Sequence, residues 1–350
     1  MNKAGLITSI EPAAGIPGGE VSIECVGLDT SEPSECAVWI GDERAPIVAL
    51  SGKRVLAIVP EVKTRIDSTG GTAGAVEVVL ESRGERSAPH SFTAGRRIAE
   101  DLHPVTSPAF DPDDGSLFVT RSGSRGEQLP VSLFRIDVNG ELSEFSGDIT
   151  NPTGIAFDKE GQMFVTSRLD GNVYKVTAFK EAVPFARNLG VATGIAFDSR
   201  GQMYVGDRTG TIYQVNEIGE EKSWAALEAS VSAYHLACGP DDAVYVTGPT
   251  VTSFDSITRI DRNGHVGVFY RGLGRPQGLA FDREGNLYVA ATLRGRRGIV
   301  RVSRDGKKAE IFVAGMNLVG LAFSALGEMI VASNDSVYNL GLGIHGRLVG

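Results

Sequence analysis

The sequence predicts an all-β protein in two parts, a small β-sandwich over residues 1–95 and a six-bladed β-propeller over residues 96–350. Three observations predict it. A chain of 350 residues exceeds the usual span of one compact core. Its first part consists of short alternating apolar runs with no amphipathic helical stretch among them, and its second part repeats one block at a period of about forty residues. The 44 glycines are spread along the chain without a collagen-like period, as the turn residues of many short strands.

In the first part the strand candidates are Ile7–Ile10, Val21–Val26, Ala37–Ile40, Val55–Val59, Val76–Leu80 and His90–Phe92. Pro17-Gly18-Gly19 makes the turn between the first two. The segments Ile7-x-x-Ile10-x-Pro12, Gly15-x-Pro17-x-Gly19, Gly27, Val38-x-Ile40-Gly41 and Ile58-Val59-Pro60 resemble the IPT/TIG family of immunoglobulin-like domains. That resemblance implies an immunoglobulin-like β-sandwich serving as a spacer. The DNA-binding relatives use basic loops, whereas this segment carries acidic residues at Glu32, Glu35, Asp42 and Glu43.

In the second part Gly154-Ile-Ala-Phe-Asp158-x-x-Gly161-x-Met-Phe-Val165 recurs at Gly194–Val205 and Gly278–Val289, with weaker copies at Ser107–Val119, His235–Val246 and Gly320–Val331. The anchors Phe110, Phe157, Phe197, Cys238, Phe281 and Phe323 are spaced by 47, 40, 41, 43 and 42 residues. Each unit reads as four strands. Ile155-Ala156-Phe157 is an innermost strand, Asp158 and Gly161 close a hairpin, and Met163–Val165, Val173–Val176 and Val183–Ala186 follow outward. Asn139-Gly140, Asn263-Gly264 and Asp305-Gly306 supply outer turns. No unit buries both faces alone, so neighbours must stack. The block resembles NHL-repeat propellers and, more distantly, the gluconolactonase and senescence-marker superfamily. Closing the ring needs an outermost strand for the last blade, from Arg97–Ala99 or from Gly346–Val349.

A net charge of -9 excludes a nucleic-acid backbone or an anionic membrane surface as the principal partner. No run of about 18 apolar residues marks a membrane span, and Met1–Ile10 lacks the pattern of an export signal. Cys25, Cys36 and Cys238 are too few for a disulfide framework, which fits a reduced cytoplasmic interior. If a signal peptide has been removed, export and a Cys25–Cys36 bridge become the alternative. The chain is expected to be a monomer.

In a propeller, the loop entering each first strand and the loop leaving each second strand meet at one mouth of the channel. The entering positions are Thr106, Thr153, Thr193, Tyr234, Gln277 and Val319; the leaving ones include Arg121, Ser167, Arg168, Asp207, Arg208, Gly248, Thr292 and Asn334. The lactonase resemblance implies a divalent ion, such as Ca²⁺, held at this mouth by several oxygen ligands. Only Asp207 among these positions is acidic, so no cofactor is expected. Asp207 reads either as a ligand or general base, or as the partner of Arg168 or Arg208.

Arg121, Arg168 and Arg208 stand at corresponding places in three successive blades, and Arg294, Arg296 and Arg297 crowd the fifth. Gathered guanidinium groups suit a carboxylate or phosphate; on a solvated rim they would pair instead with Asp170 and Asp207. Long second-to-third connections are expected at Arg121–Val131, Gly248–Ser256 and Thr292–Gly298. Tyr234-His235-Leu236-Ala237-Cys238 breaks the repeat, and its Tyr–His pair suits acid–base work, stacking on a ligand, or a repacked blade core. His103, before Pro104, is a further candidate. The mouth thus predicts a binding site for a small, anionic ligand or a protein partner, formed by Arg121, Thr153, Arg168, Thr193, Arg208, Tyr234, Gln277 and Asn334. A metal-dependent lactonase and a metal-free lyase using Tyr234 and His235 are the alternatives.

Overall fold

The computed structural model describes residues 5–63, 74–102 and 107–347, so Pro104, Thr106 and His103 of the sequence reading lie outside it, as does Val349. Among the described residues there is no α-helix, only one 3-10 turn at Pro33–Glu35.

The N-terminal strands form two sheets. One has the order Leu6–Glu11, Glu20–Val26, Arg54–Ile58, Ile47–Ser51; the other contains Ala14–Gly15, His90–Ala94, Ala75–Ser82, Cys36–Ile40 and Glu43–Ala45. Alternation along Glu20–Val26 turns Val21, Ile23 and Cys25 inward, where they share one core with Val38, Ile40, Val78, Leu80 and Phe92 of the other sheet. Cys25 and Cys36 are free, buried thiols, and Cys36 Sγ lies 3.5 Å from Ser82 Oγ.

The rest of the chain is built of antiparallel four-strand groups. Three follow the pattern of Pro152–Phe157, Met163–Ser167, Val173–Val176 and Ala182–Ala186, each as a separate sheet. The groups starting at His235 and Leu279 are joined, because Leu273 pairs with Leu293 and Gly274 with Thr292. In the last group the outer position is taken by Arg96–Ala99, which runs antiparallel to Val337–Gly341. The upstream segment therefore closes the ring. Gly346 instead bridges Asp282, and Arg347 N–H donates to Phe281 O, so the tail crosses the floor of the channel. Each first strand packs beside the first strand of the next group, and the last beside the first.

Turn chemistry holds each hairpin. Asp158 Oδ1 accepts from the amides of Glu160 and Gln162 at 3.0 and 2.8 Å, and Gly161 follows with φ 75°. Seams between groups are filled by aromatic triads. Phe185, Phe164 and the next anchor Phe197 stack with centroids 5.1 and 5.5 Å apart, and Phe312, Tyr288 and Phe323 repeat this at 5.3 and 5.1 Å. Where the anchor is Cys238, Tyr204 packs on Trp224 at 4.8 Å instead.

The expected long loop at Thr292–Gly298 is a correction. Strands Leu287–Leu293 and Arg296–Val302 simply run on to a two-residue turn, Arg294-Gly295, with φ 52° and 84°. Positive φ at both positions matches the twist of the flanking strands. Below this hairpin Ala14–Gly15 pairs in parallel with Ala314 and with His90–Ala94, making the N-terminal sheet continuous with the groups at His235 and Leu279.

Candidate functional site

Among the described residues six first strands follow one another around the ring, and four of them carry glycine three residues before the anchor: Gly154, Gly194, Gly278 and Gly320. The remaining two carry Ser107 and His235 at that place. His235 is buried; its Nδ1 lies 3.3 Å from Ser107 Oγ and its Nε2 3.3 Å from Gln277 Oε1. Gln277 offers an oxygen, so Nε2 carries the proton and Nδ1 accepts from the serine. Burial lowers the His235 pKa to about 4, which keeps the ring neutral.

Gln277 also lines a pocket of about 360 Å³ shared with Arg275, Thr292, Arg297, Asn317, Val319 and Asn334. Both arginines are exposed, and among the described residues no carboxylate lies within ion-pair distance of either. Alternation along the hairpin separates their neighbours: Arg297 lines the pocket, while Arg296 turns the other way and donates to Glu11 O at 2.6 Å.

Arg121, Arg168 and Arg208 have no carboxylate within ion-pair distance among the described residues. Arg168 Nη2 donates to Gly123 O at 3.2 Å; partial burial, and then the Arg208 cation, lower its pKa. Asp170 accepts from the Tyr174 hydroxyl rather than from an arginine.

Asp207 serves its own loop. Oδ1 accepts from the amides of Val191 and Thr209 at 2.9 and 3.0 Å, and Oδ2 accepts from the Thr209 hydroxyl. Among the described residues no three His, Cys, Asp or Glu side chains gather as a metal would require. With Asp207 engaged in this way, the donor set does not fit a hard divalent ion.

Tyr234 is buried between groups, its ring against Gly206 and Gly248 and its hydroxyl donating to Glu228 O. Burial first, then the Asp207 charge, push its pKa up to about 12. Thr193 Oγ1 accepts from Tyr234 N at 3.0 Å and donates to Gly206 O, tying the same seam. Thr153 is buried at the start of its strand. Thus Gln277, Val319, Thr292 and Asn334 come together in one pocket, and His235 joins them through Gln277. Sequence reasoning missed Ser107, Arg275 and Asn317.

No family model matches the sequence, and no curated protein matches it. Solved structures do. An auxiliary nutrient binding protein from Bacteroides ovatus is similar over 99% of both chains, with 14% identity and a TM-score of 0.51. A gluconolactonase from Xanthomonas campestris is similar over 72% of this chain and 90% of its own, with 15% identity and a TM-score of 0.58. The fold is a β-propeller. A catalytically inactive virginiamycin B lyase from Staphylococcus aureus, solved with quinupristin, shares that propeller over 78% of this chain and 92% of its own, with 14% identity and a TM-score of 0.52. At such identities the likeness shows the fold alone.

Proposed function

We propose that this chain is a binding protein whose propeller mouth holds a small anion such as a sugar acid, with Arg275 and Arg297 gripping the charge. One observation carries the reading: Arg275 and Arg297, neither ion-paired with a carboxylate among the described residues, line one pocket with Gln277, Asn317 and Asn334. Each guanidinium donates bidentately to carboxylate or phosphate, and amides complete a polar lining. Arg168 and Arg208 add to the positive potential on the same rim.

The finer architecture belongs to the same proposal. Six four-strand blades from NHL-type repeats form the ring, over residues 96–350. An IPT/TIG-type immunoglobulin-like sandwich, residues 1–95, acts as the spacer that holds it. The closed succession of first strands and the two N-terminal sheets around one core support this division. A metal-dependent lactonase is not favoured, since Asp207 caps its own loop. A lyase using Tyr234 and His235 is not favoured either, since both side chains are buried and already bonded.

Calorimetric titration with D-galacturonate, citrate and inorganic phosphate tests the reading, on the wild type and on an Arg275→Gln, Arg297→Gln double variant. Binding of at least one anion, weakened by salt and reduced about tenfold or more in the variant, is the expected result. No binding, or binding indifferent to both substitutions, overturns it.

A further inference from the structure

The seam where the ring closes is packed unlike the others. Its register skips Ile98 between the Arg97–Tyr338 and Ala99–Val337 pairs, just as Phe185 is skipped between Tyr174–Pro184 and Val173–Ala186. Ile98 therefore stands where Phe185 stands, and Ile330 stands where Phe164 stands. Two rings of the aromatic triad are missing, and beside the remaining anchor Phe110 lies a pocket of about 390 Å³. Isoleucine fills less space than a ring, so the cavity is what the substitution leaves behind.

Its polar wall is also incomplete. Arg96 and Asn339 are cross-strand partners and both line the pocket. Asn339 is 6% exposed, and its Oδ1 has no hydrogen-bond partner among the described residues, while its Nδ2 donates to Glu328 at 2.7 Å. Among the described residues Arg96 Nε is likewise buried without a hydrogen-bond partner, and no carboxylate forms an ion pair with this arginine. A buried polar group left unmatched is costly, so such groups rarely stand without a use. Asp111 lies on the same wall, its pKa raised by burial first and by Asp114 among its neighbours.

The geometry points to a second binding site at the closing seam, separate from the mouth, for a free amino acid with an aromatic side chain. The ring fills the space between Ile98, Ile330 and Phe110 that a triad occupies elsewhere. The carboxylate meets the Arg96 guanidinium, and the ammonium meets Asp111, Glu328 and the open acceptor of Asn339. Leu326 and Val138, 85% and 72% exposed, form the apolar lip. The site joins residues from both ends of the ring, so it exists only in the closed state.

The test is a chemical-shift titration of the whole chain with L-phenylalanine at millimolar concentration. Glycine, 3-phenylpropionate and phenethylamine serve as probes lacking the ring, the ammonium and the carboxylate. Leu326→Arg changes an exposed lip residue and leaves the fold intact; Asp111→Asn removes one charge. Expected are shifts confined to this seam, weakened about tenfold for each truncated probe and in each variant, and unchanged in the Arg275→Gln, Arg297→Gln protein. Absence of binding, shifts centred on the mouth, or equal binding of phenethylamine or 3-phenylpropionate overturns the assignment.

Discussion

Ser107 and His235 occupy the same place in the repeat and bond to each other across the ring, Oγ to Nδ1, at 3.3 Å. Glycine fills that place in the other four groups. Those glycines let the first strands crowd together, and the one imidazole spans the space they leave open.

This contact makes stability depend on pH in a definable window. The folded His235 titrates near 4, below its ordinary 6.5, so it binds fewer protons than the unfolded chain between those values. Its contribution is complete above pH 6.5 and is lost as pH falls toward 4, a change on the order of 3 kcal/mol. Denaturant unfolding of wild type and His235→Gln across pH 4 to 8 isolates it. The difference between the two should be flat above 6.5 and shrink below; a difference independent of pH contradicts the neutral buried ring.

Gly278→Ala tests the crowding. A Cβ there would stand 2.7 Å from Gly320 Cα, with no flexible side chain to give way. The expected loss is about 1–3 kcal/mol in chemical unfolding. A neutral substitution would mean that the first strands pack less tightly.

Asp207→Ala should lower stability by about 2–3 kcal/mol, because the amides of Val191 and Thr209 lose their acceptor. Thermal melts with and without Ca²⁺ should show the same decrement. A decrement that grows when Ca²⁺ is added would point to a ligand role instead.

Cys25 and Cys238 should react slowly with thiol reagents in the native state. Burial raises the pKa of Cys25 and, strongly, that of Cys238, so little thiolate is present. Cys238 is half-buried on the inner strands, so fast labelling without denaturant would contradict its raised pKa.

Removing residues 1–95 and removing residues 1–99 should differ. The first deletion leaves the strand Arg96–Ala99 that pairs with Val337–Gly341, and the second leaves that edge open. The longer deletion should melt several degrees lower, on the order of the shift that about 1–2 kcal/mol produces. Equal melting temperatures would assign closure to other contacts.

The repeat was legible because every unit must solve the same problem of turn and seam. Asp158, Gly161 and the phenylalanine anchors are local solutions that leave local signatures. Pairing between distant edges leaves none. Ala14–Gly15 is two residues long, too short for alternation, yet it links the N-terminal sheet to Ala314. Arg97–Ala99 and Gly346–Val349 looked equally able to close the ring, since an edge strand of three or four residues carries little pattern. The arginines were legible as a group, but which of them share a pocket depends on hairpin alternation at Arg296 and Arg297. The Ser107–His235 pair had a signal that went unused: two departures from glycine at one repeat position, three groups apart. Ile98 and Ile330 meant nothing until register set them where rings belong.

Gly95 alone separates the last N-terminal strand, His90–Ala94, from the strand that closes the ring, Arg96–Ala99. Tension on the N-terminal sheets thus has no slack tether to stretch. It is delivered in shear to the pairs Arg96–Asn339 and Arg97–Tyr338, the clasp of the ring itself. A pull on the front of the chain meets the Ala14–Gly15 pairing to Ala314 and then this fastening, so the two parts take load together.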